Sequence, residues 1–355
     1  MGTIHYIGPE RQFSDIRRST MDELVEWCKD KEVIALDTET SGLDHTKERA
    51  ILLQIGDMDH QWCIDLRFED PSRLIPFLES AEVVGHNLKF DYCFLRRYGI
   101  RLQRIWDTML AEQVLHCGKK DYGFGLKDVA SEYLGVTIDK SVRNLFIHMQ
   151  GQPFSDKQLV YGAKDIEHLI SIRALQIARV SEQELVSVVK LENRACLAFA
   201  DIEYNGMDMD VEKWLSISSE EAVKVVRLRS ELDALVLSDK RFESIIPKYV
   251  QGDLFGEPRR LNTNWDSPSQ VLKVMKCVEP GLAAVNATDL FPFRRDPMIK
   301  LYLEYKETCK LVSSYGQAFL DERYSDGKIH TSFKQILNTG RVSSSKPKTC
   351  WALAA

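Results

Sequence analysis

The chain has 355 residues, 44% hydrophobic and 28% charged, a globular composition with material for about two domains; this excludes a collagen, a coiled coil or a disordered tail. Its net charge of −6 argues against a generic nucleic-acid coat, and no apolar run reaches the roughly 18 residues that a membrane helix needs. The acidic excess falls within residues 1–185, whereas residues 251–355 are mildly basic. The eight cysteines include no C-x-x-C pair, and the opening MGTIHYIGPERQ lacks the basic start and apolar run of a signal peptide. A reduced, cytoplasmic setting is expected, without a membrane partner.

Residues 20–29 read as an amphipathic helix. The run VIALDTET at 33–40 reads as a strand that turns acidic at its end. Residues 51–58 and 61–65 suit a hairpin, with a turn-prone stretch between them. A helix follows at 71–80, then an apolar strand at 82–87 that ends in a polar loop, and a helix at 88–98. Residues 105–115 read as a strand end running into a helix. A hairpin followed by alternating strands and helices predicts an α/β sandwich around a mixed sheet.

From about residue 155 strands nearly vanish. Residues 155–179 and 182–204 carry apolar side chains at helical spacing, and Asn205–Gly206 breaks the second helix. Helices are predicted again at 211–237, 267–276 and 297–321, with a Gly/Pro/Asn-rich loop at 251–264. Residues 328–345 read as strands with a turn at 338–340.

Three short segments carry candidate chemistry. Asp37 and Glu39 stand two apart at the end of a predicted strand, so they share a face, and two carboxylates on one face repel unless a cation lies between them. Asp91, in GHNLKFD, falls in the first turn of a helix that starts just beyond another strand end. Tyr161 and Asp165 are four apart on a predicted helix and share its face. Taken singly, the three read equally as a solvated acidic loop, an acid that complements a helix dipole, and a core aromatic beside an exposed acid.

Taken in order, DTETSGLD, GHNLKFD and Y-x-x-x-D resemble the three motifs of 3′→5′ exonucleases that use four acids and a tyrosine. Asp107 in WDTMLAEQVL and the stretch GLKDVA resemble structural segments of the same family. The resemblance covers about residues 1–185. It implies a ribonuclease-H-like α/β domain with a mixed five-stranded sheet flanked by helices. It also implies two divalent ions, Mg²⁺ or Mn²⁺, with Asp37 bridging both, Glu39 and Asp165 completing the first site, and Asp91 holding the second ion partly through water. Tyr161 would orient the attacking water. A phenol with an ordinary pKa near 10 is a poor base at neutral pH, so the metal must ionise that water. Leu43 matches the residue that wedges against the terminal base, and Asn87 and Phe90 match positions lining the single-strand channel. His86 receives no role beyond loop packing.

The second half resembles another part of the same larger family. FADIEYNGMDMD, NTNWDSPSQVLKVM, YLEYKETCKLVSSYGQAF and GKIHTSFKQILNTGRVSSSKP are similar, in order, to the thumb and the start of the palm of bacterial and phage family A DNA polymerases. The resemblance implies a mainly helical thumb-like region at 186–324 and the start of a palm at 325–355. On it, Lys306 and Lys310 would contact duplex phosphates and Arg341 the minor groove at the primer end. The DNA partners implied are a single-stranded 3′ end and a primer–template duplex.

After Lys346–Pro347 the resemblance stops, before the palm acids and the fingers. The chain is then expected to excise nucleotides but not to add them. Either the rest lies on a second chain or the product is truncated or frame-shifted. Without its sheet partners, the segment 325–355 is expected to be poorly ordered. Two other readings compete: an exoribonuclease like ribonuclease D, which shares the acids, and a non-catalytic DNA-binding clamp, which predicts missing acids.

Overall fold

The computed structural model describes residues 2–117, 123–138, 142–147, 149, 151–246 and 263–345. Two compact units divide the chain: residues 1–207 with 328–355, and residues 208–327. No helix among the described residues is long and apolar enough to cross a membrane.

The first unit is built on a seven-stranded mixed sheet. Its strands are β1 (Thr3–Ile7), β2 (Arg17–Arg18), β3 (Val33–Thr40), β4 (Ala50–Gly56), β5 (His60–Asp65), β6 (Glu82–Gly85) and β7 (Arg104–Asp107), in the spatial order β2-β1-β5-β4-β3-β6-β7. β4 runs antiparallel to both β3 and β5, while β6 and β7 continue the sheet in parallel beyond β3. The five strands expected from the sequence are all present. The sheet is wider by two because β1 joins the outer edge of β5 in parallel and carries β2 with it. The five residues of β1 are too few to stand out in a pattern, and what makes them a strand is the edge they find.

Helices cover both faces. One side carries α1 (Met21–Cys28), α2 (Ile75–Ser80), α3 (Leu88–Leu95) and α8 (Val186–Asn205), whose apolar residues pack on Ile34, Leu36, Leu53, Ile55 and Val83. α1 begins at Thr20 with a capping box closed by Glu23, which satisfies two otherwise orphaned backbone N–H groups. The other side carries α4 (Thr108–Leu115), α5 (Leu126–Leu134), α6 (Asp156–Glu167) and α7 (Leu169–Glu182), packed on Ala35, Val84, Leu52 and Cys63. The stretch expected to be one helix over 155–179 is two. The chain turns at His168, so α6 covers β3, β4 and β5 while α7 lies against α4 and β6.

α8 packs in the first unit. Cys196 and Ala200 enter the core beneath α3, and Val189 joins the core on the opposite side of the sheet. The boundaries at 185 and 324 follow resemblance, whereas compactness follows packing. The returning chain is also held here. The strands Ser332–Lys334 and Ser343–Ser345 pair antiparallel. Phe333 stacks near Phe199 of α8, and its backbone N–H donates to Glu203. Lys89 of α3 donates to Phe333 O at 2.7 Å and forms an ion pair with Glu203, and Gln335 donates to Glu192. Residues 328–345 thus differ from the loose tail expected from the sequence, because α3 and α8 supply partners in place of a palm sheet. Residues 346–355 lie outside the described residues.

The second unit is helical: α9 (Val211–Ser238), α10 (Pro268–Val278), α11 (Ala287–Leu290), α12 (Pro297–Tyr315) and α13 (Gln317–Arg323). Asp210 caps α9, and Asp296 caps α12 just before Pro297, whose missing N–H costs nothing at a helix start. The predicted helix 297–321 breaks at Gly316. Leu228, Leu232 and Val236 of α9 bury against Met298, Ile299, Tyr302 and Tyr305 of α12 around the fully buried Trp265. Trp265 satisfies its indole N–H on Asp233 at 2.7 Å. Most of the loop expected at 251–264 lies outside the described residues.

The Lys89–Glu203 pair is nearly buried, with side chains 16% and 8% exposed. Removing the ammonium strands the carboxylate in an apolar setting. Lys89→Met is expected to lower stability by on the order of 3 kcal/mol in urea unfolding. Wild-type stability in that variant would show that solvent already screens the pair.

Candidate active site

Strand alternation builds the centre. Asp37 and Glu39 leave β3 on the side covered by α6, with Ala35, while Thr38 leaves on the side of α3, with Leu36. α6 starts at Ser155 with a capping box to Gln158, so its register against the sheet is pinned at the first turn. Two turns on, Tyr161 and Asp165 face the end of β3. One carboxylate oxygen each from Asp37, Glu39 and Asp165 lie within 4.8 Å of one another. Glu39 and Asp165 are buried and Asp37 is half-buried. Like charges this close, out of water, are costly without a cation. All three donors are hard oxygen atoms, a set that suits Mg²⁺ or Mn²⁺ and is poor for softer metals.

Tyr161 belongs to the same group. Its phenol is pushed well above the ordinary tyrosine value by burial, by the Asp165 and Glu39 carboxylates, by its hydrogen bond to Asp165 and by Asp37. The phenol is therefore protonated near neutral pH in the metal-free protein, where it is a hydrogen-bond donor.

Asp91 is close by but set apart from the three. It accepts hydrogen bonds from Thr38, through the backbone N–H at 3.0 Å and the hydroxyl at 2.6 Å. Burial pushes its carboxyl up to about 7 against the pull of those bonds, and Asp107 adds to the rise. Thr38 stands between Asp37 and Glu39 in the chain, so these bonds hold Asp91 at the strand segment that carries two of the three acids.

The turn before α3 is set by Asp107, the residue that caps α4. Its carboxylate accepts the backbone N–H groups of Asn87 and Leu88 as well as those of Met109 and Leu110. This ties two helix starts to one buried acid. Asn87 takes a left-handed conformation, φ 64°, which asparagine tolerates. A Cβ on Gly85 would lie 2.3 Å from Leu88 and 2.9 Å from Leu36 O, so only glycine lets the strand end pass beneath the helix. His86 bonds to Thr108 Oγ1 at 2.9 Å, a loop-packing contact.

The remaining predicted site residues fall as follows. Leu43 is 74% exposed, on the loop between β3 and β4. Asn87 is exposed, and Phe90 is half-buried beside Phe94, with ring centroids 5.0 Å apart. Lys306 and Lys310 are exposed on α12 of the second unit, where Lys306 reaches Asp266 at 3.8 Å. Arg341 is exposed in a turn closed by Leu337 N–H donating to its carbonyl. The acids Asp37, Glu39 and Asp165 and the phenol of Tyr161 are thus brought together, and Asp91 is bonded to Thr38, the residue between Asp37 and Glu39. Sequence reasoning missed Thr38. Its only signal is its place between two acids on an alternating strand.

Comparison with known proteins agrees with this geometry. Residues 17–175 match the family described as the 3′-5′ exonuclease of DNA polymerase A. DNA polymerase I of Aquifex aeolicus is 28% identical over 341 residues, covering 88% of this chain and 53% of that protein. Ribonuclease D of Pseudomonas paraeruginosa is 29% identical over 181 residues, covering 50% of this chain and 46% of that protein. Among solved structures, the POL domain of Pol1 from M. smegmatis, in complex with DNA primer-template and dNTP, superposes with a TM-score of 0.64 at 17% identity. It covers 97% of this chain and 55% of that one, a likeness of fold. The chain spans about half the length of each of these proteins. Residues 17–175 are a 3′-5′ exonuclease domain of the DNA polymerase A type, in a chain similar to bacterial DNA polymerase I over most of its length.

Proposed function

We propose that the chain is a metal-dependent exodeoxyribonuclease that removes nucleotides from DNA 3′ ends, as a proofreading nuclease does. The observation that carries this reading is the meeting of Asp37, Glu39 and Asp165 within 4.8 Å, with the neutral Tyr161 phenol beside them. Asp37, Glu39 and Asp165 would hold one divalent ion, and Asp37 with Asp91 the second. Bound there, a pair of Mg²⁺ or Mn²⁺ ions would supply a nucleophilic water near neutral pH and offset the charge on the leaving oxygen. Tyr161 orients that water by a hydrogen bond. The water oxygen would bond to phosphorus as the P–O3′ bond breaks; the O3′ takes up a proton to become the 3′-hydroxyl of the shortened strand, and a nucleoside 5′-monophosphate leaves.

Leu43, exposed at the end of its loop, would press on the terminal base, and Asn87 and Phe90 would line the path of the single strand. Lys306, Lys310 and Arg341 would hold duplex DNA by charge, without choosing sequence. The setting is the cytoplasm of a bacterium or a phage-infected cell, in keeping with the bacterial relatives.

Asp37→Ala is expected to abolish Mg²⁺-dependent mononucleotide release from a 5′-labelled primer–template while retaining single-strand affinity. Unchanged release would remove the assignment. Adding nucleotides to the same assay reads extension, and extension by this chain alone would overturn its reading as a nuclease with a thumb. RNA is the second candidate substrate, favoured by the likeness to ribonuclease D. Matched DNA and RNA oligomers decide between them, and faster digestion of RNA would sink the DNA reading.

Cation binding relieves the repulsion among the carboxylates and binds only the folded state. At about a hundredfold excess over Kd it stabilises by about 2.7 kcal/mol. A rise in Tm on the order of 5 °C with Mn²⁺ or Mg²⁺ is expected. A Tm indifferent to both ions would count against the site.

A further inference from the structure

Gln54 stands directly across the β3–β4 pair from Asp37. Residues so paired project from the same face of the sheet, so its carboxamide lies on the side of Asp37 and Glu39, beneath α6. The residue is fully buried. Among the described residues neither its Oε1 nor its Nε2 has a hydrogen-bond partner.

The helix above leaves room for this side chain. A Cβ on Gly162 would lie 2.4 Å from Gln54 Nε2. Gly162 follows Tyr161 and lies one turn before Asp165, so the amide is wedged between the strand that bears Asp37 and the helix that bears Tyr161 and Asp165. Apart from the acids and Tyr161, this layer is apolar or weakly polar: Leu52 and Ala163 lie in the same core, and Cys63, the partner of Gln54 on β5, donates to Leu159 O. A leucine or methionine would fill the space without burying an unsatisfied amide.

We propose that Gln54 is a positioning residue of the carboxylate site: when divalent cations bind, its Nε2–H donates to the Asp37 carboxylate and holds it in its ligating orientation. Binding then recovers the hydrogen bond that the metal-free protein lacks. Outer partners of metal-binding carboxylates commonly govern affinity in this way. The role rests on the metal-dependent reading above.

The test compares wild type, Gln54→Leu and Gln54→Met by calorimetric titration with Mn²⁺ and by thermal melting with and without it. Without metal, both variants are expected to melt at or above the wild-type temperature. With metal, their dissociation constant for Mn²⁺ is expected to rise roughly tenfold or more, and the metal-induced gain in Tm to shrink. Wild-type affinity for Mn²⁺ in both variants would overturn the proposal. So would failure of both to fold, because the amide would then serve the fold itself. Absence of Mn²⁺ binding by the wild type would instead remove the metal site, and the two failures are told apart by that arm.

Discussion

Mutual repulsion among buried carboxylates is the constraint on which the first unit turns. Asp37 and Glu39 are set two apart on a strand, and Asp165 is pressed toward them by a helix whose start is locked by a capping box. None of the three would hold this position in a flexible loop, because separation and hydration lower the energy of every free carboxylate. The sheet beneath and the helix above prevent that escape. The strain so created would give a divalent cation its affinity, and it would link the fold to the proposed chemistry.

Around this centre, hydrogen bonds to carboxyl groups do the holding. Thr38 spends two donors on Asp91 and keeps that acid at the strand segment that carries Asp37 and Glu39. Asp107 spends its carboxylate on four backbone N–H groups and so fixes where α3 begins. An acid in the strand-end turn that serves only backbone groups is easily mistaken for a fifth ligand. Its partners show that it shapes the site and does not line it.

The two units differ in what stabilises them. The second rests on one apolar core around Trp265. The first has cores on both faces of its sheet and adds polar ties between distant segments, among them Lys89 with Glu203 and the backbone of Phe333. Lys89 lies two residues before Asp91 on α3, so the returning chain is tied to the helix that carries the fourth acid.

The alternation of strands and helices, the ends of β3 and β6, and the acids with their tyrosine were legible in the linear order of residues. Local spacing decides which side chains share a face, and a face with two acids announces itself. Residue order could not show that 155–179 breaks at His168, that the short β1 and β2 widen the sheet, or that residues 328–345 dock on α3 and α8. Each of these depends on surfaces supplied by segments far away in the chain. The same holds for Gln54, one polar residue inside ILLQIG, whose neighbourhood to Asp37 is a matter of cross-strand register. Spacing along a chain tells which groups face the same way, and only packing tells which of them meet.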